Sequence, residues 1–177
     1  PLQPPARSDG DERGPGPLDP GPGDAQALAE RRAVDHLLIA STSADDAVRW
    51  QAVVGLGRAP HGPEVLAVLS RLVDDPAPDV ASEAARALAA SAEGRRALVG
   101  RLLGPDDDVG LSHLACADAL RERGTLDEVP ALVPWAAGDG PMAEAAHAAV
   151  AEICARAGVD SPLPPLEPPG EARPSRD

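Results

Sequence analysis

Residues 45–57 read Asp-Asp-Ala-Val-Arg-Trp-Gln-Ala-Val-Val-Gly-Leu-Gly. The stretch opens on an acidic turn and runs on through Val48-Arg49, Ala52, Leu56 and Gly57. Looser copies follow at residues 79–88, 108–120 and 139–153, so that the anchors Leu56, Leu88, Leu120 and Ile153 recur about every 32 residues. A fixed period of this length marks a stacked repeat protein, in which each unit buries the apolar face of its neighbour.

The columns of the repeat specify helix. Four residues before each anchor stands Ala52, Ala84, Cys116 or Ala149, always small. Three residues before it stands Val53, Ala85, Ala117 or Val150, always apolar. An anchor with apolar neighbours at −3 and −4 is one face of an α-helix, and small residues let the next helix come close. Each of the first three helices is followed by a second apolar run, beginning at Val65, Ala97 and Val129. One repeat is therefore a helical hairpin, which cannot cover its own apolar face and gains that cover by stacking.

The Val-Arg-x-x-Ala-x-x-x-Leu-Gly skeleton of residues 48–57 resembles the HEAT repeat, in the short bacterial form also found in phycobilisome bilin lyases. The resemblance spans roughly residues 33–160 and is closest in the first copy. The arginine at Arg49 gives way to Ala81, His113 and Ala146 in the later copies. The resemblance implies an all-α, right-handed α-α superhelix, a HEAT-like α-solenoid of about three and a half hairpins. It also implies a scaffold or binding subunit. The alternative it offers is an accessory factor acting on a tetrapyrrole-bearing partner, as bilin lyases do.

Composition narrows the function classes. The chain of 177 residues has two Trp, no Phe and no Tyr, so its core must be Ala, Leu and Val, which suits close helix packing and not a sheet. All sixteen basic residues are Arg, consistent with coding bias from a GC-rich genome. The net charge of −13 repels phosphate backbones, so a nucleic-acid partner is not expected and a protein partner is. No apolar run approaches the ~18 residues of a membrane span. Two cysteines make no disulfide framework; Cys116 falls in a column otherwise filled by Ala and reads as core. A cytoplasmic location is the expectation. Because the chain opens at Pro1, export after removal of an upstream signal peptide is the alternative.

Along the chain, residues 1–23 are a Pro- and Gly-rich tail and residues 161–177 a second Pro-rich tail, both expected to be disordered. The repeat domain occupies residues 24–160. Its first helix has Asp24 as candidate N-cap and looks like the second half of a repeat, capping the stack. The Ser41-Thr42-Ser43 loop should then cap the next helix, with Asp45 or Asp46 completing a capping box. Gly158 should end the last helix.

The candidate site residues are surface ones. Trp50 lies about 120° round its helix from Leu56, facing outward, and aromatic residues dominate binding hot spots. Trp135 either closes the core near the last helix or lines the inner surface. Arg71 and Arg101 hold matching places in successive second helices, and with Arg95 and Arg96 they form a basic spot in an acidic chain. Pairing with acids such as Asp74 or Asp106 is the plainer reading. The acidic turns Asp74-Asp75, Asp79, Asp106-Asp107-Asp108 and Asp139 read as helix caps, since no turn supplies the six to eight oxygens that calcium requires. His36, His61, His113 and His147 fall one to a segment without ligand spacing, so no metal, cofactor or catalytic residue is expected. His113, in the Arg49 column, reads as a polar rung between repeats. On packing, Ala84 belongs to the small column, whereas Ala89 sits about 100° from Leu88 and nearer the edge of the buried face.

Overall fold

The computed structural model describes residues 22–104 and 110–164, with side chains from residue 26 onward. The expected tails therefore lie largely outside the described residues, as does the acidic run Asp106–Asp108. The described residues form eight α-helices: α1 (Pro22–Ala40), α2 (Asp46–Leu56), α3 (Pro63–Leu72), α4 (Pro78–Ala89), α5 (Ala92–Leu102), α6 (Leu111–Arg123), α7 (Val129–Ala136) and α8 (Pro141–Ala157). A short 3-10 turn, Leu126–Glu128, precedes α7, and there is no strand among the described residues.

The chain divides into two units, Pro1–Ala33 and Val34–Asp177. The described side chains of the first, residues 26–33, are all exposed, with Gln26 donating to Glu30 across one turn at 2.8 Å. The second unit is a helical solenoid. Helices α2, α4, α6 and α8 touch in succession as one layer, and α3, α5 and α7 make the other. Two hairpins pair one helix from each layer, α2 with α3 and α4 with α5; α6 packs on α5, α7 also reaches α5, and α8 covers both α6 and α7.

The repeat columns form the seam of this stack. The anchors Leu56, Leu88, Leu120 and Ile153 are buried, as are all four small residues at −4 and all four apolar residues at −3. Val34, Leu37 and Leu38, late in α1, pack on the same core. Leu37 sits over Gly55, where a Cβ would lie 2.7 Å from its Cδ2, so that the glycine admits the leucine.

The edge position expected for Ala89 is corrected, because it is fully buried. Helix α4 is flanked by α2 and α6 in its own layer and by α3 and α5 in the other, so its buried arc is wider than a single stripe. Val80, Ala81, Ala84, Ala85, Ala87, Leu88 and Ala89 are all inside.

Helix boundaries follow local chemistry, with two differences from the sequence reading. Helix α1 begins at Pro22, which places Asp24 within the first turn and not before it. The Ser41 and Thr42 hydroxyls donate to the carbonyls of Leu38 and Ile39 at 2.7 and 2.8 Å, closing the end of α1. That leaves Asp45 itself as the N-cap of α2, with Oδ1 accepting the Ala47 N–H at 2.9 Å. Pro63, Pro78 and Pro141 each sit in a first turn, where the missing N–H costs nothing. Ser91 caps α5 by accepting the Gly94 N–H at 3.0 Å. Gly158 ends α8 in the left-handed conformation, φ 69°.

Candidate functional site

The N-terminal ends of α2 and α4 lie side by side, and a groove of about 830 Å³ opens between them. Arg49 ties its floor. Its Nε and Nη2 donate to Asp75 Oδ2 and Oδ1, both at 2.8 Å, a bidentate fork. Its Nη1 donates to the carbonyls of Ser43 and Ala44 at 3.0 and 3.1 Å. One guanidinium thus joins the loop before α2 to the loop before α4. Asp75 Oδ1 also accepts the Ala77 N–H at 2.9 Å. The Arg49 hydrogen bonds hold the Asp75 carboxyl below the usual carboxylate range, helped by the Ala77 N–H against the opposing effect of burial. The same hydrogen bonds raise Arg49.

Trp50, next in sequence, turns away from this pair and stands on the groove wall, 42% exposed. Pro76 and Pro78 line the facing wall, and Asp45, Asp46 and Asp79 stand along its edge. Because Arg49 is already neutralised by Asp75, the edge carboxylates set the sign of the groove. Among the described residues no salt bridge reaches Asp46 or Asp79, and Arg49 acts on Asp46 only through space.

The other candidates are dispersed. Arg71 is exposed in the last turn of α3. Arg96 is exposed and reaches Glu93 at 3.6 Å. Arg95 turns inward, where its Nε donates to Glu128 at 3.2 Å and its Nη1 to the Ala89 carbonyl at 3.3 Å. Arg101 pairs with Asp74 at 2.7 Å, one of the acids anticipated for it, and reaches Ser112 Oγ at 3.3 Å. Trp135 donates from Nε1 to the Leu102 carbonyl at 3.0 Å, which pins α7 to α5. Its ring lies 5.2 Å from that of His113, tilted by 46°. His113 is buried and 3.4 Å from Ser112 Oγ, so the position that holds Arg49 in the first copy holds an internal polar side chain in the third.

Two polar contacts went unanticipated. The Arg49–Asp75 fork joins residues 26 apart, and nothing in the spacing distinguishes Asp75 from Asp74. Glu128 is a buried carboxylate held by the Thr125 N–H at 2.6 Å, the Thr125 hydroxyl at 3.0 Å and Arg95. Its signal, Thr-x-x-Glu at residues 125–128, is a capping box legible in the sequence.

The arrangement offers binding surface more than reactive groups. His61 Nδ1 and Ser91 Oγ are 3.1 Å apart, yet Ser91 Oγ caps α5 and, among the described residues, no carboxylate hydrogen-bonds His61. Cys116 and Cys154 are free and buried. Among the described residues no three His, Cys, Asp or Glu side chains converge on a metal-sized site, and no helix is long and apolar enough to cross a membrane. No curated protein and no solved structure matches the chain. Residues 34–113 match the family model for HEAT repeats. That span runs from the last turns of α1, through two complete hairpins, into the start of α6, and it contains the groove. By this match and by their stacked hairpins, residues 34–113 are HEAT repeats.

Proposed function

We propose that the Val34–Asp177 unit is a non-enzymatic binding module that presents its helical surface to a protein partner, as a scaffold or an accessory subunit. HEAT repeats generally mediate protein–protein interaction, which is the coarse ground for this reading. The observation that carries it is Trp50, 42% exposed on a groove wall, whereas the chain's other tryptophan, Trp135, is partly buried and hydrogen-bonded to the Leu102 carbonyl. The part of the indole left in water forgoes burial, and a partner that covers it gains that hydrophobic free energy.

The competing candidates are the second-helix arginines Arg71, Arg95, Arg96 and Arg101, with Trp135, although Arg95 is turned inward onto Glu128. Affinity capture from native extract with mass spectrometry separates the two. Trp50→Ala should remove a stoichiometric partner that the Arg71→Glu/Arg101→Glu pair retains, and the reverse result would move the site to the second helices. Absence of any stoichiometric partner would count against the module itself. A tetrapyrrole-directed accessory role has its own test, in absorption spectra taken after mixing with bilins or haem. No spectral shift leaves the binding module.

A further inference from the structure

We propose that the α2/α4 groove docks an extended, cationic segment of a protein partner, with an arginine or lysine of that segment laid against the Trp50 ring between Asp46 and Asp79. The inference rests on the binding-module reading and gives the partner its chemistry.

Charge sets the sign. Two helix N-termini face the groove, each equivalent to about +0.5 charge. Against them stand three full carboxylates, Asp45, Asp46 and Asp79. Asp45 is engaged with the Ala47 N–H; Asp46 and Asp79 make no salt bridge among the described residues, although Arg49 attracts Asp46 through space. Arg49 adds no net positive charge, because Asp75 takes it with two hydrogen bonds. The local field is therefore negative, like that of the chain as a whole at −13. An anionic ligand would be repelled, and a cationic one would be steered in and held.

Shape and chemistry select among cations. An exposed indole face attracts a guanidinium or ammonium through its quadrupole, and the carboxylates supply acceptors for the same group. The groove, about 830 Å³, is large enough for several residues. Its facing wall of Pro76 and Pro78 offers apolar contact to the aliphatic stem of Arg or Lys. A lone metal ion would leave the indole and both prolines unused.

The test uses the full chain and a short acetylated, amidated peptide of alternating Arg and Ala, titrated at low salt by calorimetry. The counterpart of alternating Glu and Ala serves as control. The Arg peptide should bind and the Glu peptide should not. Trp50→Ala should weaken binding at least about fivefold, and Asp46→Asn/Asp79→Asn by about tenfold with a shallower salt dependence. The distant pair Asp127→Asn/Glu144→Gln removes the same charge from exposed positions outside the groove and should leave affinity within about twofold. Equal weakening by both charge pairs would mean diffuse attraction to an acidic protein and would overturn the proposal. So would binding that is indifferent to Trp50, or no binding at all. If the peptide fails while the chain still captures a partner from native extract, the groove assignment falls and the binding module stands. If both fail, both readings fall.

Discussion

Gly94 sits in the first turn of α5, where that helix leaves α4, and a Cβ there would collide with the Leu88 carbonyl and lie 2.8 Å from Leu88 Cα. Alanine normally stabilises a helix interior relative to glycine by about 0.5–1 kcal/mol. Here the sign reverses, because backbone cannot move aside as a flexible side chain can. Gly94→Ala should destabilise by about 1–3 kcal/mol, seen as a lower urea midpoint with helix content retained. The Arg49–Asp75 fork makes a prediction in pH. Its folded carboxyl lies below the ordinary value, so the unfolded chain takes up protons first as the solution is acidified. The fork's contribution is then complete above about pH 5 and is lost as pH falls below about 4, toward the lowered folded value. Asp75→Asn should therefore lower the thermal midpoint at pH 7, and the gap to wild type should narrow by pH 3. A gap of constant size would mean that the carboxylate charge contributes nothing.

At the scale of the element, α4 shows what a sequence displays and what it withholds. Ala84→Leu and Ala89→Leu should each destabilise by about 1–3 kcal/mol, read as a lower thermal midpoint, since both alanines are fully buried and added methylenes have nowhere to go. A tolerated Ala89→Leu would mean that the contact with the neighbouring layer is loose. The column at Ala84 was legible because stacking imposes the same steric demand at every repeat, and a repeated demand writes a period. Ala89 was not, because a helical wheel assumes one buried stripe and cannot count how many helices will surround the one it describes. The outward aspect of Trp50 was legible from the same wheel, since α2 lies nearer the end of its layer. The groove beside Trp50 was not, because its far wall is built from a loop and a helix start about thirty residues on. The choice of Asp75 over Asp74 for Arg49 is a matter of loop geometry, which side-chain spacing does not encode.

For the Val34–Asp177 unit as a whole, the decisive feature is that no helix pair holds its core alone. In a stack of this kind stability is a sum of repeat terms and neighbour interfaces, so the end unit is the cover of the one before it. Helix α8 serves as that cover, with Ala149, Val150, Ile153 and Cys154 buried against the preceding hairpin. Ile153 reaches the end of α6, its Cδ1 lying 2.9 Å from where a Gly124 Cβ would stand. Ile153→Ala should cost about 2–5 kcal/mol as a cavity at this junction. Removing α7 and α8 altogether should do more, uncovering Leu120 and Cys116 in water. Cys116 offers a direct reporter. Burial pushes its thiol up to about 12, so in the intact chain near pH 8 it is both protonated and screened from reagent. In a Cys154→Ala background the only thiol is Cys116, and it should resist a disulfide-exchange reagent until the chain is unfolded. The same background ended at Gly124 should react without denaturant, with a lower thermal midpoint. An unreactive Cys116 with an unchanged midpoint would show that the first two hairpins and α6 need no cover from α8, contrary to the nearest-neighbour account of the stack.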